Sequence, residues 1–140
     1  MPDLHASDMA QALRGAGYRV TRPRLAVLQV LQDHDEGLSP EEIHQRGREA
    51  YAPLGLVTVY RTLEILDALG LARRVHTSGH CHGYARAEGD DHYLVCRRCH
   101  RVLAFPCHGL DALIAGVQQQ TGYVVQGHLL ELTGLCPDCQ

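Results

Sequence analysis

The sequence predicts an α+β protein: an N-terminal winged helix-turn-helix unit followed by a smaller α/β unit. Three observations predict it. Capped helical segments fill roughly the first 70 residues, and short strand patterns then take over. Two Cys-x-x-Cys pairs, "VCRRC" at 95–99 and "LCPDC" at 135–139, bracket the end of the chain.

The first helix is "DLHASDMAQALRGAG", stopping at Gly15 or Gly17. The second is "VTRPRLAVLQVLQDH", with Thr21 as N-cap, Pro23 in the first turn, and Leu25, Leu28 and Leu31 at helical spacing. The third opens on Ser39-Pro40-Glu41-Glu42, a capping box with Pro in the first helical position. The fourth, "LVTVYRTLEILDALG", puts Val59, Leu63 and Leu66 on one face and Gly70 at its stop. "LARRVHT" and "HGYARA" read as two strands around the turn "SGHC", forming a wing. "AEGDD" reads as a hinge. "HYLVC" and "RVLAF" are strands around the first Cys pair, "GLDALIAGVQQQTG" is a helix, and "YVVQGHLLEL" is the last strand. In a helix-turn-helix unit the last helix enters the major groove. Here it presents Thr58, Tyr60 and Arg61; the same periodicity also allows a packed Tyr60 and a solvated Arg61.

The 140 residues suit one domain of ordinary size or two small ones. The sequence has no apolar run of membrane-spanning length and opens without a signal-peptide pattern, so a cytoplasmic location without membrane association is expected. Thiols there stay reduced, and paired cysteines point to metal or redox chemistry. A formal net charge of −3 argues against a generally basic nucleic-acid binder. All 13 basic residues are Arg, however, and Arg14, Arg19, Arg22 and Arg24 share an acid-free stretch. All six Cys and seven of ten His fall between His76 and Cys139.

Cys96, Cys99, Cys136 and Cys139 give C-x2-C…C-x2-C, a set of four thiolates suited to a closed tetrahedral Zn2+ site of structural type. The 36 residues between the pairs exceed the usual ribbon spacing and leave room for a helix and a strand. A redox Cys-x-x-Cys would belong to a βαβ pattern, which this sequence lacks. Asp90, His92, Asp111 and His128 come from hinge, helix and strand of one small unit and form a second candidate set, acceptable to Zn2+, Mn2+ or Fe2+. His80, Cys81 and His82 sit near the wing tip, and Cys107 with His108 forms a further small group. His5, His34 and His44 read as ordinary surface or packed histidines.

The segments "GYRVTRPRLAVLQVL", "TVYRTLEILDALGLARRV", "HYLVCRRCHRVLAF" and "TGYVVQGHLLELTGLCPDC" together resemble the ferric-uptake-regulator superfamily of metal-dependent transcriptional repressors. The chain looks most like the zinc-uptake branch of that superfamily. The resemblance implies a winged-helix DNA-binding domain over 1–87, a hinge over 88–91, and a dimerisation and metal-binding domain over 92–140. It implies a homodimer on a palindromic DNA operator, controlling metal-uptake genes, with a structural zinc on the four cysteines. Arg19, Arg22, Arg24, Thr58, Tyr60 and Arg61 become the DNA-contacting residues. Asp90, His92, Asp111 and His128 match a metal site in the dimerisation domain.

The superfamily's hinge sensor site does not carry over. Its positions become Gly37, Asp91, Tyr93 and either Ala85 or Arg86. The substitute is His80, Cys81 and His82 with Asp91 or His92, where a thiolate favours zinc over Fe2+ or Mn2+. The alternative is an exposed turn that collects stray metal. The function expected is a metal-responsive repressor that senses zinc, with iron or manganese sensing as the alternative. A zinc hydrolase needs an open coordination position and a nearby general base, and the deaminase order P-C-x-x-C is replaced here by C-P-D-C. No enzyme is expected; an adaptor that merely dimerises through its zinc unit is the other rival.

Overall fold

The computed structural model describes residues 6–77, 80–87, 92–106, 108–128 and 130–140; of Ala6, Thr77, His80, Cys81 and His82 it describes the backbone only. Four helices open the chain: α1 (Ala6–Gly15), α2 (Arg22–Asp33), α3 (Pro40–Ala50) and α4 (Leu56–Ala68). Their ends follow local chemistry. The Thr21 side chain accepts from the Arg24 N–H at 3.5 Å. At α3 the Ser39 N–H donates to Glu42 Oε2 at 2.8 Å and the Glu42 N–H donates to Ser39 Oγ at 3.2 Å, a complete capping box. Gly70 follows α4 with φ +70°, a left-handed turn that glycine takes without a Cβ penalty.

The apolar stripes of these helices meet in one core. Met9, Leu13, Val27, Leu28, Leu31, Ile43, Val59, Leu63 and Leu66 are all buried there. Leu25 does not join them; it is 42% exposed, and Val27 and Val30 face inward instead. The α2 face is thus rotated from the one that leucine spacing suggests. Gly47 lets α3 approach its neighbours: a Cβ there would come within 2.6 Å of Leu54 Cδ2.

Strands β1 (Ala72–Thr77) and β2 (His80–Arg86) form the antiparallel wing, with Arg74 opposite Tyr84. The sequence pattern places His80 and Cys81 in the connecting turn, but β2 already begins at His80. The loop after α2 also pairs with the wing: Leu38 and Tyr84 exchange backbone hydrogen bonds at 3.0 and 2.7 Å.

The second sheet has the order β4-β3-β5, with β3 (His92–Cys96) central, β4 (Val102–Phe105) antiparallel to it and β5 (Glu131–Gly134) parallel. The last strand is later and shorter than "YVVQGHLLEL" suggests; residues 122–128 form no regular element. A parallel partner needs a long crossover, and here that crossover carries α5 (Leu110–Thr121). Glycines with positive φ, Gly109 and Gly122, flank α5. No α5 side chain is buried.

The two sheets are also joined through the loop after α2. The Gly37 N–H donates to the His100 carbonyl and the Val102 N–H to the Asp35 carbonyl, both at 2.8 Å, making a bridge between Glu36 and Arg101. Among the described residues no helix is long and apolar enough to cross a membrane. Residues 88–91 lie outside those described, and with them the expected hinge, Asp90 and Asp91; Cys107 and His5 lie outside as well.

Candidate metal centre

The four cysteines of the two Cys-x-x-Cys pairs converge. Cys96 ends β3, and Cys99 follows in a tight turn closed by the His100 N–H on the Cys96 carbonyl at 2.9 Å. His100 takes the left-handed conformation, φ +62°, that this turn requires. From the other end, Cys136 precedes and Cys139 closes a short 3-10 turn, Pro137–Cys139. The ligand atoms of Cys96, Cys99, Cys136 and Cys139 all lie within 4.8 Å of one another. Cys99 Sγ and Cys136 Sγ are 3.7 Å apart; two thiolates on a tetrahedral zinc, at about 2.3 Å each, would stand ~3.8 Å apart. The donor set and its spacing therefore fit that ion.

The surroundings prepare these sulfurs unequally. The backbone N–H groups of Cys136, then Cys99, hold the Cys96 thiol down to about 5. Cys139 is pushed up to about 12, first by its contact with the Cys136 side chain and then by burial. Four negative sulfurs this close repel, and a cation is what allows all of them to ionise together. Charged neighbours brace the rim: Arg101 Nη1 to Asp138 Oδ2 at 3.0 Å, and Arg98 Nη1 to the Cys139 carbonyl at 2.8 Å.

The second expected set is only partly assembled. His92, buried, and His128 face each other with Nε2 atoms 3.2 Å apart. Among the described residues the cysteines are the one group of three or more potential ligands drawn together; Asp111 is exposed in the first turn of α5, and Asp90 lies outside the described residues. His128 lies before β5 rather than in it. The side chains of His80, Cys81 and His82 lie outside the described residues. His108 is exposed, while His34 Nδ1 and His44 Nε2 each contact a backbone carbonyl at 2.8 Å.

The positions matching the superfamily's hinge site hold other contacts. The Gly37 N–H is bound to His100. Tyr93 is buried, with the Arg73 guanidinium 4.9 Å from its ring centroid. Arg86 reaches Asp35 at 3.4 Å. Sequence reasoning passed over one further contact: His76 on β1 and Glu131 on β5, whose Nδ1 and Oε1 are 3.2 Å apart. Nothing local signals a pairing across 55 residues.

In the front half, α4 shows Tyr60 and Arg61 to solvent, with Thr58 half-buried. The Tyr60 hydroxyl donates to Glu41 Oε1 at 2.9 Å, and that bond raises the tyrosine's pKa above its usual value. Arg19 and Arg22 are exposed. Arg24 is partly engaged, donating to the Arg19 carbonyl at 2.6 Å and lying over the Tyr18 ring.

The Ferric uptake regulator family model matches residues 15–133. The ferric uptake regulation protein of Legionella pneumophila is 33% identical over 135 residues, covering 95% of this chain and 99% of that protein. The zinc uptake regulation protein of Mycobacterium tuberculosis is 35% identical over 129 residues, covering 91% and 99%. Among solved structures, a zinc uptake regulator complexed with zinc and DNA matches with TM-score 0.73 at 22% identity, covering 95% of this chain and 91% of that one. The Vibrio cholerae ferric uptake regulator matches with TM-score 0.67 at 31% identity, covering 92% and 100%. Fold, cysteine cluster and sequence agree: this chain belongs to the ferric uptake regulator family.

Proposed function

We propose that this protein is a homodimeric, metal-responsive DNA-binding repressor, and that zinc is the cation it senses. The observation that carries the zinc reading is the make-up of the joint between the halves. Where the family's hinge pattern calls for ligands, this chain has the engaged N–H of Gly37 and a buried Tyr93 under Arg73. Metal-capable residues are supplied instead by the hairpin at His80, Cys81 and His82, with Asp91 from the hinge 88–91. A set containing a thiolate prefers zinc to Fe2+ or Mn2+.

Cys96, Cys99, Cys136 and Cys139 would hold a second, structural zinc, which stiffens the C-terminal end without taking part in sensing. Arg19, Arg22, Arg24 and Arg61 supply charge for phosphates and base edges, and Thr58 and Tyr60 supply hydrogen bonds. Dimerisation uses the apolar surface of 92–140: Leu103, Leu113, Tyr123 and Val124 are each more than half exposed. Two recognition helices on a palindrome must sit about 34–36 Å apart or a multiple of it. Joining wing and hinge through shared ligands favours one such spacing, in proportion to the difference in affinity between closed and open forms.

A second reading, iron or manganese sensing, draws on the His92–His128 pair, since imidazoles completed by Asp90 and Asp111 serve all three ions. Operator binding titrated separately with Zn2+, Mn2+ and Fe2+, on the wild type and Cys81→Ser, decides between them. Zinc-dependent binding that Cys81→Ser abolishes supports the zinc reading; zinc-dependent binding left unaltered by that substitution overturns the hairpin site, and binding that answers to Fe2+ or Mn2+ but not to Zn2+ overturns zinc sensing.

A further inference from the structure

We propose that His76 and Glu131 are ligands of the regulatory cation, so that the ion ties strand β1 of the front half directly to strand β5 of the back half. This rests on the reading that the hairpin at 80–82 carries that ion, and it supplies what that reading lacks: partners from both halves at positions other than the family's own. Three observations carry it.

The first is spacing. His76 Nδ1 and Glu131 Oε1 are 3.2 Å apart. Nitrogen and oxygen ligands at about 2.0–2.1 Å from a tetrahedral zinc stand ~3.3 Å apart. A hydrogen bond has the same separation, so distance alone does not choose.

The second is preorganisation. The Glu131 carboxylate is largely withdrawn from water, with its side chain 17% exposed. The His76 backbone N–H also donates to its Oε1 at 2.9 Å. A carboxylate oriented by an N–H is the usual support of a metal ligand. Among the described residues no Arg reaches Glu131, so His76 is its one basic partner there.

The third is the register of the wing. Val75 pairs with Gly83 and Thr77 with His80. His76 alone therefore stands opposite two residues, Cys81 and His82. This is a β-bulge, a device that re-aims a strand where a site needs it. The bulge brings the backbone carrying a thiol and an imidazole level with the His76–Glu131 pair. The His76 nitrogen and the Glu131 carboxylate oxygen both suit Zn2+.

The test uses the full-length dimer carrying its four-cysteine zinc. Zn2+ is titrated against a chromophoric competitor, and Co2+ absorption reports the ligands of the labile site. Glu131→Gln, His76→Gln and Cys81→Ser are compared with wild type, and thermal melting with the retained zinc count verifies the fold. The expected result is one labile equivalent in wild type, bound at least about tenfold more weakly in both Glu131→Gln and His76→Gln, with an altered cobalt spectrum in each. Wild-type affinity and spectrum in Glu131→Gln and His76→Gln, with loss in Cys81→Ser, would overturn this assignment and leave the hairpin reading standing. Labile binding unchanged in all three variants would overturn both.

Discussion

Replacing Leu113 tests the dimer on which the functional account depends. Leu113 lies on α5, a helix that buries none of its side chains, and is 62% exposed. Full burial of a leucine side chain is worth roughly 1.5–3 kcal/mol. If the partner covers what is exposed here, Leu113→Ala forfeits about 1–2 kcal/mol per copy. A twofold interface counts every substitution twice, so the dimer loses about 2–4 kcal/mol. That raises its dissociation constant roughly 30- to 1,000-fold. Leu113→Asp costs more, because a carboxylate is then buried without a partner. Sedimentation equilibrium over a dilution series reads the constant directly, and operator affinity should fall with it. A dimer of unchanged strength in Leu113→Asp would refute the placement of α5 in the interface.

Other outcomes follow from named contacts. Leu63→Ala, at a fully buried position in the α4 stripe, should cost about 2–5 kcal/mol in chemical denaturation. Arg61→Ala should weaken operator binding by about 1–3 kcal/mol without changing labile-metal affinity, read by gel shift and metal titration. Zinc uptake by the metal-free four-cysteine site should release protons near neutral pH, since Cys139 is pushed up to about 12 and must ionise to bind; calorimetry in buffers of different ionisation enthalpy counts them. Glu36 is partly desolvated, the largest single influence, which raises its pKa, but the hydrogen bonds from Arg46 and from its own backbone N–H, with the nearby positive charge of Arg46, together outweigh this and leave it below 4.5. Its contribution to stability is therefore complete above pH 4.5 and is lost as pH falls through the lowered value. Arg46→Ala should flatten that acid limb in melting curves.

What the sequence revealed was what local chemistry encodes. Ser39 and Glu42 announce a helix start because both partners of the cap lie within four residues. Val59, Leu63 and Leu66 reveal their buried face through spacing alone. The two Cys pairs are legible because each is a short, complete half-site. Leu25 misled because α2 has apolar residues on two sides, and only packing against α3 and α4 selects one. The last strand was misplaced because β5 is defined by its parallel partner, with Tyr93 opposite Glu131, rather than by its own composition. The same long-range register hides the His76–Glu131 contact and the bridge between Glu36 and Arg101.

The central claim is that a labile cation at the joint sets the separation of the two α4 helices. A bio-orthogonal spin label at Glu64, exposed on α4, gives that separation in the dimer by pulsed dipolar spectroscopy, with the four-cysteine zinc kept in place throughout. Adding zinc to the labile site should collapse a broad distance distribution into a narrow one compatible with recognition helices about 34–36 Å apart or a multiple of it. Identical distributions with the labile site filled and emptied would contradict the account.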